Sequence, residues 1–142
     1  MPPDLIASNT PRFGVIGDET LAEIRHWSPD FIFANAVLQH VRPDELPTFF
    51  GRIAAMMVPS SRAYLLFVSA SRVQRIKAVS WAYPPALLEE QARAAVPGAG
   101  VRTIDGEQSY QQITGGGRKV LCIEGLGTSA GAPAPLANVN PI

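Results

Sequence analysis

Polar side chains that could carry chemistry follow three short apolar runs of the chain. In chain order, the residues that follow these runs are Asp18 and Glu19, Asn35 and Ala36 with Gln39 and His40 shortly after, and Ser69. Ligands of open α/β sheets bind beyond the carboxyl ends of the strands. A carboxylate such as Asp18 can accept a hydrogen bond from an amine or a ribose hydroxyl, and the His40 imidazole can act as a general base near neutral pH. The pattern predicts a ligand site along one end of a sheet.

Asp18 and His40 each have a structural interpretation as well. Asp18 precedes a helical segment, where a helix N-cap would use the same carboxylate oxygen. His40 ends a short helical turn, and its ring could simply bond to a loop carbonyl. The sequence alone leaves both interpretations open.

Other residues give no support for hydrolase, zinc or thiol chemistry. The chain has no Gly-x-Ser-x-Gly elbow, no His-Glu-x-x-His motif and no cysteine pair. Cys122 lies within an apolar run, which is typical of a small buried hydrophobe. His26 has no second ligand at metal spacing, and the glycines at 115–117 precede a strand rather than a helix, which indicates a turn. No metal site is predicted.

Alternating strands and helices must position these residues. Continuous apolar runs predict strands at 13–17, 30–35, 63–68, 101–104 and 119–124. Apolar residues at helical spacing predict helices over 19–25, 43–57 and 85–95. This order predicts an α/β fold, a three-layer α/β/α sandwich with a mostly parallel sheet and a C-terminal antiparallel hairpin.

The composition indicates one soluble domain. The 142 residues carry 12 basic and 12 acidic side chains, so the net charge of zero provides no field that would attract a nucleic acid. The lone cysteine cannot form an internal disulfide, and no apolar run approaches the ~18 residues of a membrane span. The Gly-, Ala- and Pro-rich end predicts a flexible tail over 127–142, after a domain over 1–126. We expect a cytoplasmic protein that binds neither nucleic acid nor membranes.

The stretch DFIFANAVLQHV at residues 30–41 resembles the fourth-strand motif of Rossmann-like (class I) S-adenosylmethionine-dependent methyltransferases. In that family an Asp opens the strand, and the loop after the strand lies under the cofactor. Asp18 stands 12 residues before Asp30, close to the spacing of the family's adenine-binding acidic residue. The resemblance implies S-adenosylmethionine as cofactor and a small molecule as methyl acceptor.

The resemblance also implies a role for each of the polar residues. Asp18, with Glu19 beside it, would contact the adenine end of the cofactor. Asn35 and Ala36 would lie beneath the cofactor, and His40 would be the catalytic residue on the acceptor side. The strand that carries this motif would form the floor of the cofactor pocket.

The sequence departs from the family in two places. Ser60 and Ser61 stand where the family has two glycines after Pro59, and no Gly-x-Gly-x-Gly loop precedes Asp18. The resemblance therefore covers an incomplete fold, without the N-terminal glycine-loop part, and implies an exposed sheet edge. The alternative function is a non-catalytic relative that pairs with another chain, including a second copy, through this edge. A dehydrogenase nucleotide-binding domain has less support, since the chain has no Gly-x-Gly-x-x-Gly.

Overall fold

The computed structural model describes residues 14–106 and 115–125. The elements in chain order are α1 (Asp18–His26), β1 (Phe31–Ala34), α2 (Leu46–Met56), β2 (Arg62–Ala70), β3 (Gln74–Lys77), β4 (Ser80–Ala82), α3 (Pro85–Ala95), β5 (Gly100–Asp105) and β6 (Gly115–Glu124). Two turns of 3₁₀ helix, Leu38–His40 and Pro43–Glu45, connect β1 to α2. Among the described residues, no helix is both long and apolar enough to cross a membrane. The predicted tail over 127–142 lies outside the described residues.

Four strands form the main sheet in the order β1-β2-β6-β5. β1 and β2 are parallel, whereas β6 is antiparallel to both of its neighbours, β2 and β5. Three of the four strands therefore run in one direction, and β5 and β6 form the predicted C-terminal antiparallel pair. β3 and β4 form a separate two-stranded antiparallel hairpin. The architecture is the predicted mixed α/β fold.

The three described helices form one layer, in which α2 contacts both α1 and α3. The main hydrophobic core lies between this layer and the sheet, and it includes Phe50 of α2, Leu88 of α3 and Leu65 of β2, each at most 1% exposed. A smaller cluster around Tyr64 and Cys122 lies on the opposite face of the sheet. The second helical layer of the predicted sandwich is not among the described elements.

Two predicted elements differ from the structure. Residues 14–17 of the first predicted strand pair with no strand in the described sheet, and Val15 and Ile16 are 87% and 64% exposed. Apolar character alone does not make a strand where no neighbouring backbone is available for pairing. The helix predicted over 43–57 is divided into a 3₁₀ turn and α2, because Pro47 in the first turn of α2 cannot donate a backbone hydrogen bond.

β1 is an edge strand of the described sheet. The Arg62 amide donates to the Asp30 carbonyl at 2.9 Å, and backbone groups alternate in direction along a strand. Ile32 therefore directs its backbone groups toward β2, whereas Phe31 and Phe33 direct theirs toward the open edge. The two phenylalanine side chains are each 53% exposed. The predicted floor of the cofactor pocket thus lies at the margin of this sheet, and only one of its two sides is paired.

The turn before β2 uses a serine in place of the family's glycine. Ser61 is fully buried, and its hydroxyl donates to the Pro29 carbonyl at 2.6 Å while accepting a hydrogen bond from the Val58 amide at 2.9 Å. One side chain thereby ties the end of α2 to the chain before β1. Ser61, which stands where the resembled motif has a glycine, therefore has a structural role in this turn.

We expect Ser61→Ala to destabilise the fold by about 1–3 kcal/mol, because it leaves the Pro29 carbonyl and the Val58 amide without this partner. Denaturant unfolding measures the loss. Ser60→Ala is the matched control, since Ser60 is the exposed neighbour in the same turn, and it should change stability by less than about 0.5 kcal/mol. Equal losses for the two variants would contradict the structural role of the Ser61 hydroxyl.

Candidate functional site

The carboxyl ends of β1 and β2 meet the β3–β4 hairpin at one end of the sheet. Residues after the hairpin return to β2, where the Tyr83 amide donates to the Val68 carbonyl at 2.9 Å and the Ala70 amide donates to the Tyr83 carbonyl at 3.1 Å. Tyr83 thus lies beside β2, beyond the point where β1 ends. The sheet end predicted to bind a ligand is therefore formed by the loop after β1 and the hairpin.

The loop after β1 has a constrained backbone. Ala36 has a φ of +58°, in the left-handed region that a residue with a side chain rarely adopts. Such a conformation costs about 1–2 kcal/mol and persists only where the surrounding structure imposes it. Leu38, which is fully buried in the main core, anchors the loop from one side. Asn35 is exposed at the start of the loop, where its amide is available to a ligand.

His40 contacts the tip of the β3–β4 hairpin. Its Nδ1 lies 3.0 Å from the Val79 carbonyl oxygen and 3.4 Å from the Ser80 hydroxyl, and its Nε2 lies 3.4 Å from the Gln39 amide nitrogen. The structural interpretation of His40, a bond to a loop carbonyl, is thus confirmed. It leaves Nε2 as the nitrogen that can exchange a proton with a ligand.

Tyr83 holds the hairpin against the loop. Its side chain is fully buried, and its hydroxyl donates to the Val41 carbonyl, directly after His40. Burial, reinforced by the negative charges of Asp44 and Glu45, raises the pKa of Tyr83 well above its usual range. The phenol therefore stays neutral and serves as a hydrogen-bond donor.

Asp18 and Glu19 lie in the first turn of α1, and both are exposed. The N-cap is Gly17, so the interpretation of Asp18 as the N-cap is wrong by one position, and its carboxylate is not used for capping. At the other end of α1, Arg25 donates to the Met57 carbonyl at the C-terminus of α2, near the amino ends of the strands. This contact places the C-terminal end of α1 beside the C-terminal end of α2.

The structure places Asn35, Ala36 and His40 together in the connection after β1, whereas Asp18 and Glu19 lie on a separate element, α1. No hydrogen bond or ion pair in the described part of the chain links Asp18 or Glu19 to Asn35 or His40. Donors and acceptors of the kinds that recognise an adenosine group are present at Asp18 and along the loop at Asn35 and Ala36. The exposed Asp18 carboxylate and the exposed Asn35 amide can bind amine and hydroxyl groups, so their chemistry is compatible with the adenosine end of S-adenosylmethionine.

Cys122 and the titratable groups were the other candidates for chemistry in the described part of the chain. Burial raises the pKa of the Cys122 thiol to about 11, and the side chain is fully buried, so the expectation of a buried hydrophobe is confirmed. Within residues 14–106 and 115–125, no three His, Cys, Asp or Glu side chains cluster in a way that could hold a metal ion. A cleft of about 220 Å³ lies at the opposite, amino end of the sheet, and Arg25 is the charged residue among the described residues that line it.

The hairpin contact is the part of the site that sequence reasoning missed. His40 and Val79 are 39 positions apart, and the contact uses a backbone carbonyl, which no residue type at position 79 would indicate. Neither the turn that carries His40 nor the hairpin indicates this contact by its own sequence. The hairpin tip reaches His40 because Tyr83, after the hairpin, pairs with β2.

Comparison with known proteins finds similarity at the level of solved structures. No protein-family model matches the chain, and no curated protein does so. The Burkholderia thailandensis 1,6-didemethyltoxoflavin-N1-methyltransferase, solved with 1,6-didemethyltoxoflavin and S-adenosylhomocysteine, is 24% identical with a TM-score of 0.49, over 68% of this chain and 43% of the other. DhpI in complex with SAH is 16% identical with a TM-score of 0.48, over 72% of this chain and 52% of the other. The chain spans about half the length of these structures.

Proposed function

We propose that this chain is an S-adenosylmethionine-dependent methyltransferase, or the C-terminal part of one, that acts on a small molecule. The observation that carries the proposal is the position of His40, held at the carboxyl end of the sheet beside the constrained Asn35-Ala36 loop. This is the end of an α/β sheet where ligands bind. The motif at residues 30–41 supports the same reaction through its resemblance to that family.

Each residue of the site has a defined task in this proposal. The Asp18 carboxylate accepts a hydrogen bond from the adenine amino group, with Glu19 beside it. The Asn35 amide and the loop backbone at Ala36 bind the cofactor from below. S-adenosylmethionine, when bound, supplies an electrophilic methyl group. His40 faces the acceptor and accepts its proton.

Cofactor binding is tested by calorimetric titration of the chain with S-adenosylhomocysteine. We expect measurable binding, and we expect Asp18→Asn to weaken it roughly tenfold, because a hydrogen bond to a charged group contributes about 1.5–3 kcal/mol. Glu90→Gln, on the exposed side of α3, is the matched control and should leave the affinity unchanged. Absence of binding by the wild-type chain would overturn the proposed function.

We also infer a second candidate function, in which β1 pairs with β1 of a second copy. Within the described sheet, Phe31 and Phe33 direct their backbone groups toward the side of β1 that has no neighbouring strand, and their half-exposed rings lie on one face of the sheet. An antiparallel pair centred on Ile32 and related by a two-fold axis places Phe31 of one copy opposite Phe33 of the other, so the edge-facing backbone groups of the two copies meet. In this register Asp30 of one copy lies opposite Ala34 of the other, so no like charges meet. The short edge supports a weak dimer.

Phe33→Pro tests this pairing, because it removes an amide that faces the open edge and leaves the bonds between β1 and β2 in place. We expect the wild-type chain to dimerise with increasing concentration in sedimentation equilibrium and Phe33→Pro to remain monomeric. Phe33→Tyr keeps the amide and the ring, so it should dimerise as the wild type does. A wild-type chain that is monomeric at all concentrations, or a Phe33→Pro variant that dimerises equally well, would exclude the second function.

A further inference from the structure

The contact between His40 and the hairpin tip fixes the position of the hydrogen on the imidazole ring. Nδ1 of His40 lies 3.0 Å from the Val79 carbonyl oxygen. A carbonyl oxygen can only accept a hydrogen bond, so Nδ1 must carry the hydrogen. In the neutral ring the other nitrogen, Nε2, then has a free lone pair, and the hydrogen bond of one nitrogen sets the role of the other.

Each partner of this contact is also held by other contacts of its own segment. On the histidine side, the 3₁₀ turn that ends at His40 contains the fully buried Leu38. On the hairpin side, Ser80 is 4% exposed, and Arg75 closes the turn by donating from Nε to the Ala78 carbonyl at 3.0 Å. The fold therefore imposes the contact, since neither side can move away without leaving its own anchor.

Nε2 of His40 is the accessible nitrogen of the ring. The His40 side chain is exposed, and Nε2 lies 3.4 Å from the Gln39 amide nitrogen. A hydrogen bond of that length is at the weak end of the range. A stronger donor on a bound ligand can therefore replace Gln39 as the partner of Nε2.

We propose that the Val79 carbonyl holds neutral His40 as its Nδ1–H tautomer, and that Nε2 thereby serves as the base for acceptors whose reacting atom carries a hydrogen, such as a hydroxyl, a phenol or a ring N–H. This inference rests on the proposed methyl transfer and names its substrate class. The bond between the acceptor atom and its hydrogen breaks, and the proton forms a new bond to Nε2. The electron pair stays on the acceptor atom and would form the bond to the methyl carbon, while the bond from that carbon to the sulfonium sulfur of S-adenosylmethionine would break and leave its electron pair on sulfur. The imidazolium then releases the proton to water.

Val79 is a positioning residue in this scheme, because it acts on the acceptor only through His40. Its carbonyl selects one of the two neutral tautomers and fixes the direction of the ring. When His40 takes up the proton, Nδ1–H remains a donor to the same carbonyl. The charged ring makes this hydrogen bond stronger, so the contact stabilises the protonated intermediate as well as the starting tautomer.

Nitrogen-15 NMR of the imidazole rings tests the inference on the chain without cofactor or acceptor. At a pH where both histidines are neutral, we expect His40 to show a protonated Nδ1 and a bare Nε2, with roughly a tenfold excess of this tautomer from the hydrogen bond to the carbonyl. His26 is the internal control, since it lies exposed at the end of α1. It should show the tautomer mixture of a free histidine, in which Nε2–H is preferred.

Ser80→Ala distinguishes the two groups near Nδ1. The variant removes the hydroxyl at 3.4 Å and keeps the Val79 carbonyl, so we expect the His40 signals to stay in the Nδ1–H pattern. Either an Nε2–H tautomer in the wild-type chain or a change of tautomer in Ser80→Ala would overturn the inference. Because the measurement needs no turnover, its failure is distinct from a failure of cofactor binding, which tests the proposed function itself.

Discussion

Replacing His40 by Gln should lower kcat for methyl transfer by roughly 10²- to 10⁴-fold, the usual contribution of a positioned general base. The glutamine side chain keeps the approximate size of the ring but cannot take up a proton. Its effect should fall on kcat rather than on the affinity for S-adenosylhomocysteine, because His40 lies on the hairpin side of the loop rather than at Asp18. Formation of S-adenosylhomocysteine, measured with a panel of small phenols, alcohols and N–H heterocycles, gives the rate.

The matched control for this prediction is His26→Gln. It removes the other histidine of the chain, which lies at the exposed C-terminal end of α1, and it should leave kcat unchanged. Equal rates for His40→Gln and the wild-type chain would show that the acceptor loses its proton without His40. A tenfold loss of cofactor affinity in His40→Gln would instead place the ring against the cofactor and contradict the acceptor-side assignment.

Local sequence patterns predicted those parts of the fold that depend on nearby residues. The helix predicted over 85–95 coincides with α3, because its apolar spacing lies between Pro84-Pro85 at one end and Pro97 at the other. The strand predicted over 63–68 lies within β2, where burial on both faces requires a continuous apolar run. Such elements carry their own signals in length and periodicity.

Features that depend on distant partners were not predictable in the same way. β3 and β4 are four and three residues long, too short for a clear alternation, and the hairpin they form became part of the site only through contacts with β2 and His40. The run at 13–17 has the composition of a strand, but residues 14–17 find no strand to pair with in the described sheet. In both cases the structure of the segment depends on whether another strand lies beside it, and a single sequence does not specify that neighbour.

Replacing Phe50 by Ala should cost about 3–5 kcal/mol of unfolding free energy, the range for truncating a fully buried phenylalanine. Phe50 is 1% exposed and belongs to the core between α2 and the sheet. The loss is a large fraction of the 5–15 kcal/mol that stabilises a typical domain. Urea unfolding followed by circular dichroism measures it, with the wild-type chain under the same conditions as reference.

Phe49→Ala is the matched control, because the two rings are adjacent, 5.3 Å apart and nearly perpendicular, yet Phe49 is only partly buried. Its truncation should cost clearly less, and equal losses would mean that α2 presents a different face to the sheet. Leu38 belongs to the same core cluster as the fully buried Phe50, whereas Phe49 is a partly buried neighbour of that cluster, so we expect a cavity at Phe50 to loosen the anchor of the turn that carries His40. We therefore expect Phe50→Ala, but not Phe49→Ala, to reduce the excess of the Nδ1–H tautomer in the fraction of the chain that remains folded.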